Sequence, residues 1–244
     1  DAGSNSLASS KNVAIGNRAL SGAHTDAAFQ GTVALGYYAL GNATMGGINY
    51  NIAIGMESQM ANAGGQNVAI GYATLKVADG GETGNVAIGT STMDAVNNDN
   101  SDHNVAVGNY SMRGGTGELD RNIAIGHQAM DGTGAVGGQQ NIFIGDNAGG
   151  GSWTTAASNS NVAIGATAMS AALNGALGNT TVGHDGLKAV TTGDYNTTLG
   201  RGAGTAITTT SSTVAIGNYA LSAITSTGDY TIAIGAGAMG GAQI

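Results

Sequence analysis

One five-residue motif returns thirteen times along the chain, so whatever the fold is, it must be built by stacking one small unit on copies of itself. Asn12-Val13-Ala14-Ile15-Gly16 recurs from Asn51, Asn67, Asn85, Asn104 and Asn122, and more distant copies open at Thr32, Asn141, Asn161, Asn179, Asn196, Thr213 and Thr231. The motif glycines are Gly16, Gly36, Gly55, Gly71, Gly89, Gly108, Gly126, Gly145, Gly165, Gly183, Gly200, Gly217 and Gly235, spaced by 16 to 20 residues. Three and four residues after most of them a small residue precedes Leu or Met, as in Ala19-Leu20, Ala39-Leu40, Thr74-Leu75, Ser111-Met112, Ala129-Met130 and Ala168-Met169. The stretch from that pair to the next copy is rich in Gly, Asn, Asp, Ser and Thr and holds all the length variation, which marks it as surface turn.

The first beat of each repeat is too short for a helix and rich in Val and Ile, so it reads as a strand; the Leu or Met beat reads as a second, shorter strand. Such a unit cannot bury its own apolar face, but coils stacked at the strand spacing of about 4.8 Å share a continuous ladder. The expected fold is therefore all-β: a parallel β-solenoid, or β-roll, of about 13 turns with two short strands per turn, over residues 12–244 as a single repeat domain after a lead-in segment of residues 1–11. Composition agrees. The 244 residues include 44 glycines and no proline, and the apolar 41% is mostly small aliphatic, which suits a thin core repeated along a line better than one large core.

Alternation along the strand puts the second and fourth motif residues on one face and the third on the other. The Val or Ile columns are expected inside the roll, closed by the Leu or Met of the second beat, each buried side chain contributing about 1.5–3 kcal/mol before ordering costs. The third residue is Ala in ten copies, with Phe143, Thr181 and Thr198 the exceptions. Ala is a poor strand former, so a flat Ala column on the opposite face implies a second surface packed against it, and with it an oligomer, three chains about an axis being the natural arrangement. The competing reading is that Ala keeps a single roll slim. The motif Gly is expected at positive φ at a corner, and the leading Asn in an amide ladder from coil to coil.

The residues exclude several function classes. A net charge of -8 with seven Lys plus Arg argues against nucleic acid, which demands clustered cations. Without cysteine there is no disulfide or thiolate site. No apolar run reaches the roughly 20 residues of a membrane-spanning helix. The histidines His24, His103, His127 and His184 occupy different repeats and motif positions, so no metal ligand set is expected, and Asp79, Asp94, Asp99, Asp102 and Asp131 read as solvated turn carboxylates. No Ser or Thr has a base in a recognisable context, and no Gly-rich segment leads from a strand into a helix. An enzyme is not expected, nor any cofactor.

Two irregularities stand apart. The copy at Asn141–Gly145 carries Phe143 for Ala, has Gly149 where Leu or Met is usual, and precedes Trp153, the only Trp. Trp153 is a candidate surface contact, although filling a local packing defect is the favoured reading for it and Phe143. Tyr37 and Tyr38, with Tyr72, Tyr110 and Tyr219, follow motif glycines and are candidate contacts for sugars or neighbouring chains.

At the level of the unit Asn-[Val/Ile]-Ala-Ile-Gly followed by small-[Leu/Met], nearly the whole chain resembles the head repeats of trimeric autotransporter adhesins; Asn141 to Gly149 also resembles repeats of phage tail-fibre and other surface-fibre proteins. The repeats here are longer and more variable than the adhesin pattern. The resemblance implies a homotrimer, an extracellular, cell-surface or virion-fibre location, and no catalytic residues. The expected function is a non-enzymatic structural or adhesive fibre segment whose variable turns attach to a host glycan or matrix protein. The alternatives are a self-assembling filament subunit or tail-fibre shaft and, remotely, an ice- or crystal-binding surface, for which only Thr180, Thr181, Thr197 and Thr198 offer a local Thr column.

Overall fold

The computed structural model describes residues 11–21, 30–42, 49–61, 64–77, 81–223 and 228–241. Among them there is no helix; the chain is all-β, a parallel β-solenoid. It divides into two compact units, Asp1–Asn122 and Ile123–Ile244.

In the first unit six three-residue strands carry the motif: β1 (Val13–Ile15), β2 (Val33–Leu35), β3 (Ile52–Ile54), β4 (Val68–Ile70), β5 (Val86–Ile88) and β6 (Val105–Val107), followed by the two-residue β7 (Leu119–Asp120). β1 to β6 pair in sequence order, parallel and without slip, so that Val13 lies opposite Val33, Ala14 opposite Ala34 and Ile15 opposite Leu35, and likewise down the ladder. The second unit repeats the design with β8 (Ile123–Ile125), the short β9 (Gly138–Gln139), β10 (Ile142–Ile144), β11 (Val162–Ile164), β12 (Thr180–Val182), β13 (Thr197–Leu199), β14 (Val214–Ile216) and β15 (Ile232–Ile234). There β8 and β10 to β15 pair in order, again in matched register.

The faces are the reverse of the sequence expectation. The Ala of the third position points inward: Ala34, Ala53, Ala69, Ala87, Ala106, Ala124, Ala163 and Ala215 are fully buried, while the Val and Ile on either side are half-buried or exposed. The reason is width. The interior is filled from the opposite wall by long side chains, Leu20, Leu40, Leu75, Met93, Met112, Met130, Met169, Leu187 and Leu221, and a short Ala leaves room for them. The slim-roll reading of the Ala column is the one the structure supports.

The second beat is not a strand. The second and fourth residues after each motif Gly have positive φ in all copies, for example Arg18 and Leu20 at 57° and 54°, and Tyr110 and Met112 at 57° and 46°. The residue before each motif is also left-handed, as in Tyr50 at 60° and Gln140 at 58°. A left-handed residue costs a non-glycine about 1–2 kcal/mol, and the ladder compensates by hydrogen-bonding both ways along the stack. Glu57 N–H donates to Tyr37 O of the preceding coil (2.9 Å), and Gln59 N–H to Thr74 O of the following one (2.8 Å). These turns also end the strands at three residues.

The variable segments are more than surface turns. Val96 and Leu119 in the first unit, and Trp153, Leu173, Val190 and Ile207 in the second, come from them and are buried in the roll.

Candidate assembly face and its supporting columns

The motif glycine column fixes the corner. All these glycines have φ between 126° and 152°, and at most of them a Cβ would run into the next coil: at Gly16 it would lie 2.5 Å from Gly36 O, and at Gly200 2.6 Å from Gly217 O, whereas at Gly235 the dihedral alone calls for glycine. Both the dihedral and the close approach of backbone require glycine, as the positive-φ expectation anticipated for one of these reasons.

Behind the glycines runs the asparagine ladder. In the first unit Asn51 Oδ1 accepts from Asn67 N–H, Asn67 from Asn85, Asn85 from Asn104 and Asn104 from Asn122, at 2.8–2.9 Å. In the second unit Asn141, Asn161, Asn179 and Asn196 form the same chain, ending on Thr213 N–H. Amide nitrogens of the ladder also tie down the variable turns beside them, as Asn85 Nδ2 does to Ser101 O (2.8 Å) and Asn161 Nδ2 to Ala176 O (2.8 Å). These asparagines are fully buried, so their bonds satisfy groups that water cannot reach.

With those columns inside, the outward face of each unit is two columns of Val, Ile and Leu, interrupted in the second unit by Thr180 and Thr197. Ile15 is 58% exposed, Leu199 51% and Ile234 66%, and the columns hold no charged residue. Contiguous exposed apolar surface of this kind makes the face a candidate for contact with another surface.

The other candidates fare differently. Trp153 is 5% exposed, so it is not an available surface contact: its ring meets Phe143 edge-on with centroids 6.1 Å apart, and its Nε1–H donates to Gly149 O (3.1 Å). Phe143 is fully buried and occupies the space that Gly149 vacates, since a Cβ on Gly149 would lie 2.6 Å from the ring. Tyr37 remains exposed and packs edge-on against Tyr38, which lies under the Arg18 guanidinium. Tyr72, Tyr110 and Tyr219 are exposed in separate coils, and Arg113 and Arg201 lie over the last two. The Thr quartet splits: Thr181 and Thr198 are inside, hydroxyl to hydroxyl at 2.7 Å, while Thr180 and Thr197 face out.

His103, His127 and His184 each approach one aspartate, Asp120, Asp146 and Asp185, at 3.9, 3.0 and 2.7 Å; His24 and Asp79 lie outside the described residues. No cluster of three or more potential metal ligands occurs among the described residues, and no helix there could cross a membrane. Asp94 is not the solvated turn carboxylate expected of it: desolvation raises its pKa above the usual value, against a hydrogen bond from Ser91 and the charges of Arg113 and Lys76. For Asp185 desolvation is outweighed by hydrogen bonds from Thr167 (2.7 Å) and Lys188 (2.9 Å), which hold its carboxyl below the usual range.

No family model, curated protein or solved structure matches the chain. The resemblance to surface-fibre repeats therefore rests on the motif alone.

Proposed function

We propose that this chain is a non-enzymatic fibre segment, a β-roll that associates with copies of itself into a homotrimer and presents its variable turns for attachment, on a cell surface or a virion. The observation that carries the reading is the outward aliphatic face, two columns wide and free of charge. The columns that lack cover are Val and Ile, and the Ala column is enclosed, so the aliphatic face is the one that a neighbouring copy would cover. Three copies about an axis let each roll bury one flat side, which is also the arrangement that the motif resemblance implies. Removing these half-exposed side chains from water stabilises the assembly by about 25 cal/mol for each Å² of apolar area covered.

Mass measurement in solution alongside electron microscopy of the purified chain tests the reading. It predicts a mass three times the 23.7 kDa of one chain and short particles of uniform length. A monodisperse single chain would sink it, and long fibres would replace it with the filament reading.

A further inference from the structure

The outward columns are aliphatic except in two neighbouring strands, where Thr180 and Thr197 take the place of the Val or Ile of the second motif position. The two are Cα partners across β12 and β13. Both side chains are exposed, and neither hydroxyl is hydrogen-bonded among the described residues, unlike the inner Thr181 and Thr198. We infer that Thr180 and Thr197 set the register of self-association: copies of the chain pack parallel, each Thr at the height of the same Thr in its neighbour. The inference rests on the assembly proposed above.

The occupant of this face is a second copy for two reasons on the molecule itself. The columns repeat once per coil at the strand spacing of about 4.8 Å, and an apolar surface of matching rise is another such ladder. The chain carries a net charge of -8, yet no charged residue stands in these columns, so two copies meet here without opposing like charges at the contact.

Aliphatic columns alone leave the register open, because a slip by one coil replaces each Val or Ile with another. The Thr pair removes that degeneracy. In register, hydroxyl meets hydroxyl and each can donate to or accept from its counterpart. A slip of one coil strands one hydroxyl of each chain against an aliphatic side chain, and a slip of two coils strands both; a buried hydroxyl without a partner is penalised. Isolated polar positions in an apolar seam specify register in the same way in coiled coils.

The chain has no cysteine, so single thiols report register directly. Ile164 and Val182 occupy the fourth motif position of β11 and β12, both exposed on the same face. Chains carrying Ile164→Cys and chains carrying Val182→Cys are mixed, reassembled and oxidised. The expected result is that 164–164 and 182–182 disulfides outnumber 164–182 disulfides at least tenfold. With Thr180→Val and Thr197→Val added to both, the assembled mass stays the same and the excess falls to about twofold or less. The inference is overturned if the excess is unchanged by the Val substitutions, if it is absent with Thr in place, or if Ile164→Cys links preferentially to Ile216→Cys, the antiparallel arrangement. A single-chain mass before oxidation overturns both this inference and the assembly on which it rests, whereas a trimer with indifferent register overturns this one alone.

Discussion

Replacing Gly200 and Gly235 by Ala, one at a time, separates the two reasons for the glycine column. Both have positive φ, 129° and 126°, so an alanine is strained at either, by about 1–3 kcal/mol. Only at Gly200 does the new Cβ meet fixed backbone, 2.6 Å from Gly217 O, 2.7 Å from its carbonyl carbon and 3.2 Å from Asn218 N. At Gly235 the nearest atom is Ala238 Cβ at 3.9 Å, an ordinary contact. Forcing backbone apart in a ladder that is bonded on both sides adds about 1–3 kcal/mol, as for an overpacked core. Gly200→Ala is thus expected to lose about 4 kcal/mol and Gly235→Ala about 2 kcal/mol. Urea unfolding followed by far-ultraviolet circular dichroism measures the midpoints, and amide exchange in β13 and β14 locates the damage, which matters because repeat arrays can unfold in parts. Equal losses would refute the steric half of the reasoning, and a change within about 0.5 kcal/mol at both positions would refute it entirely.

Gln59 stands in the Leu column, fully buried, with neither side-chain polar atom hydrogen-bonded among the described residues, so Gln59→Leu should stabilise the chain by about 1–3 kcal/mol, read as a higher urea midpoint; a destabilisation would contradict its placement. Phe143→Ala should cost about 3–5 kcal/mol and Gly149→Met should be poorly tolerated, yet the two together restore the pairing of the other coils, so a double-mutant cycle should give a large favourable coupling and additivity would refute the shared space. The depressed Asp185 carboxyl contributes stability that is present above its unfolded pKa of about 3.9 and is lost as pH falls through its lower folded value. Thr167→Val removes one hydrogen bond to that carboxylate and should move its midpoint upward in an NMR titration; an unmoved midpoint would leave Lys188 and His184 as the controlling charges.

The repeat made much of this structure legible. Stacking, matched register, the amide ladder and the corner glycines all follow from a short motif that cannot bury itself. Which strand face is inside did not follow, because Val, Ala and Ile are all apolar and alternation alone separates two faces without saying which is enclosed. The signal lay in size: Phe143 replaces Ala in the same coil that has Gly149 for Leu or Met, and only residues facing one another across an interior trade volume in that way. The left-handed second beat was hidden more deeply, since most of its positions are filled by residues such as Tyr, Glu, Leu and Met, which do not favour that conformation. Glycines at the equivalent places, Gly149, Gly202, Gly204 and Gly237, with Asn147 and Asp185, were the local trace. The outward face was misread for the same reason as the core, and the buried residues of the variable turns, Leu173 and Ile207 among them, have no fixed offset from the motif that would reveal them.

The proposed assembly rests on the outward placement of the aliphatic columns, and Ile54→Lys, Ile70→Lys and Ile88→Lys introduced together test it most directly. Light scattering and circular dichroism on the triple variant should show a mass of one chain in place of three with the β-signal retained, because these side chains point away from the interior. Loss of the β-structure would put the fourth motif position in the core, and a retained fold at unchanged mass would remove this face from the assembly.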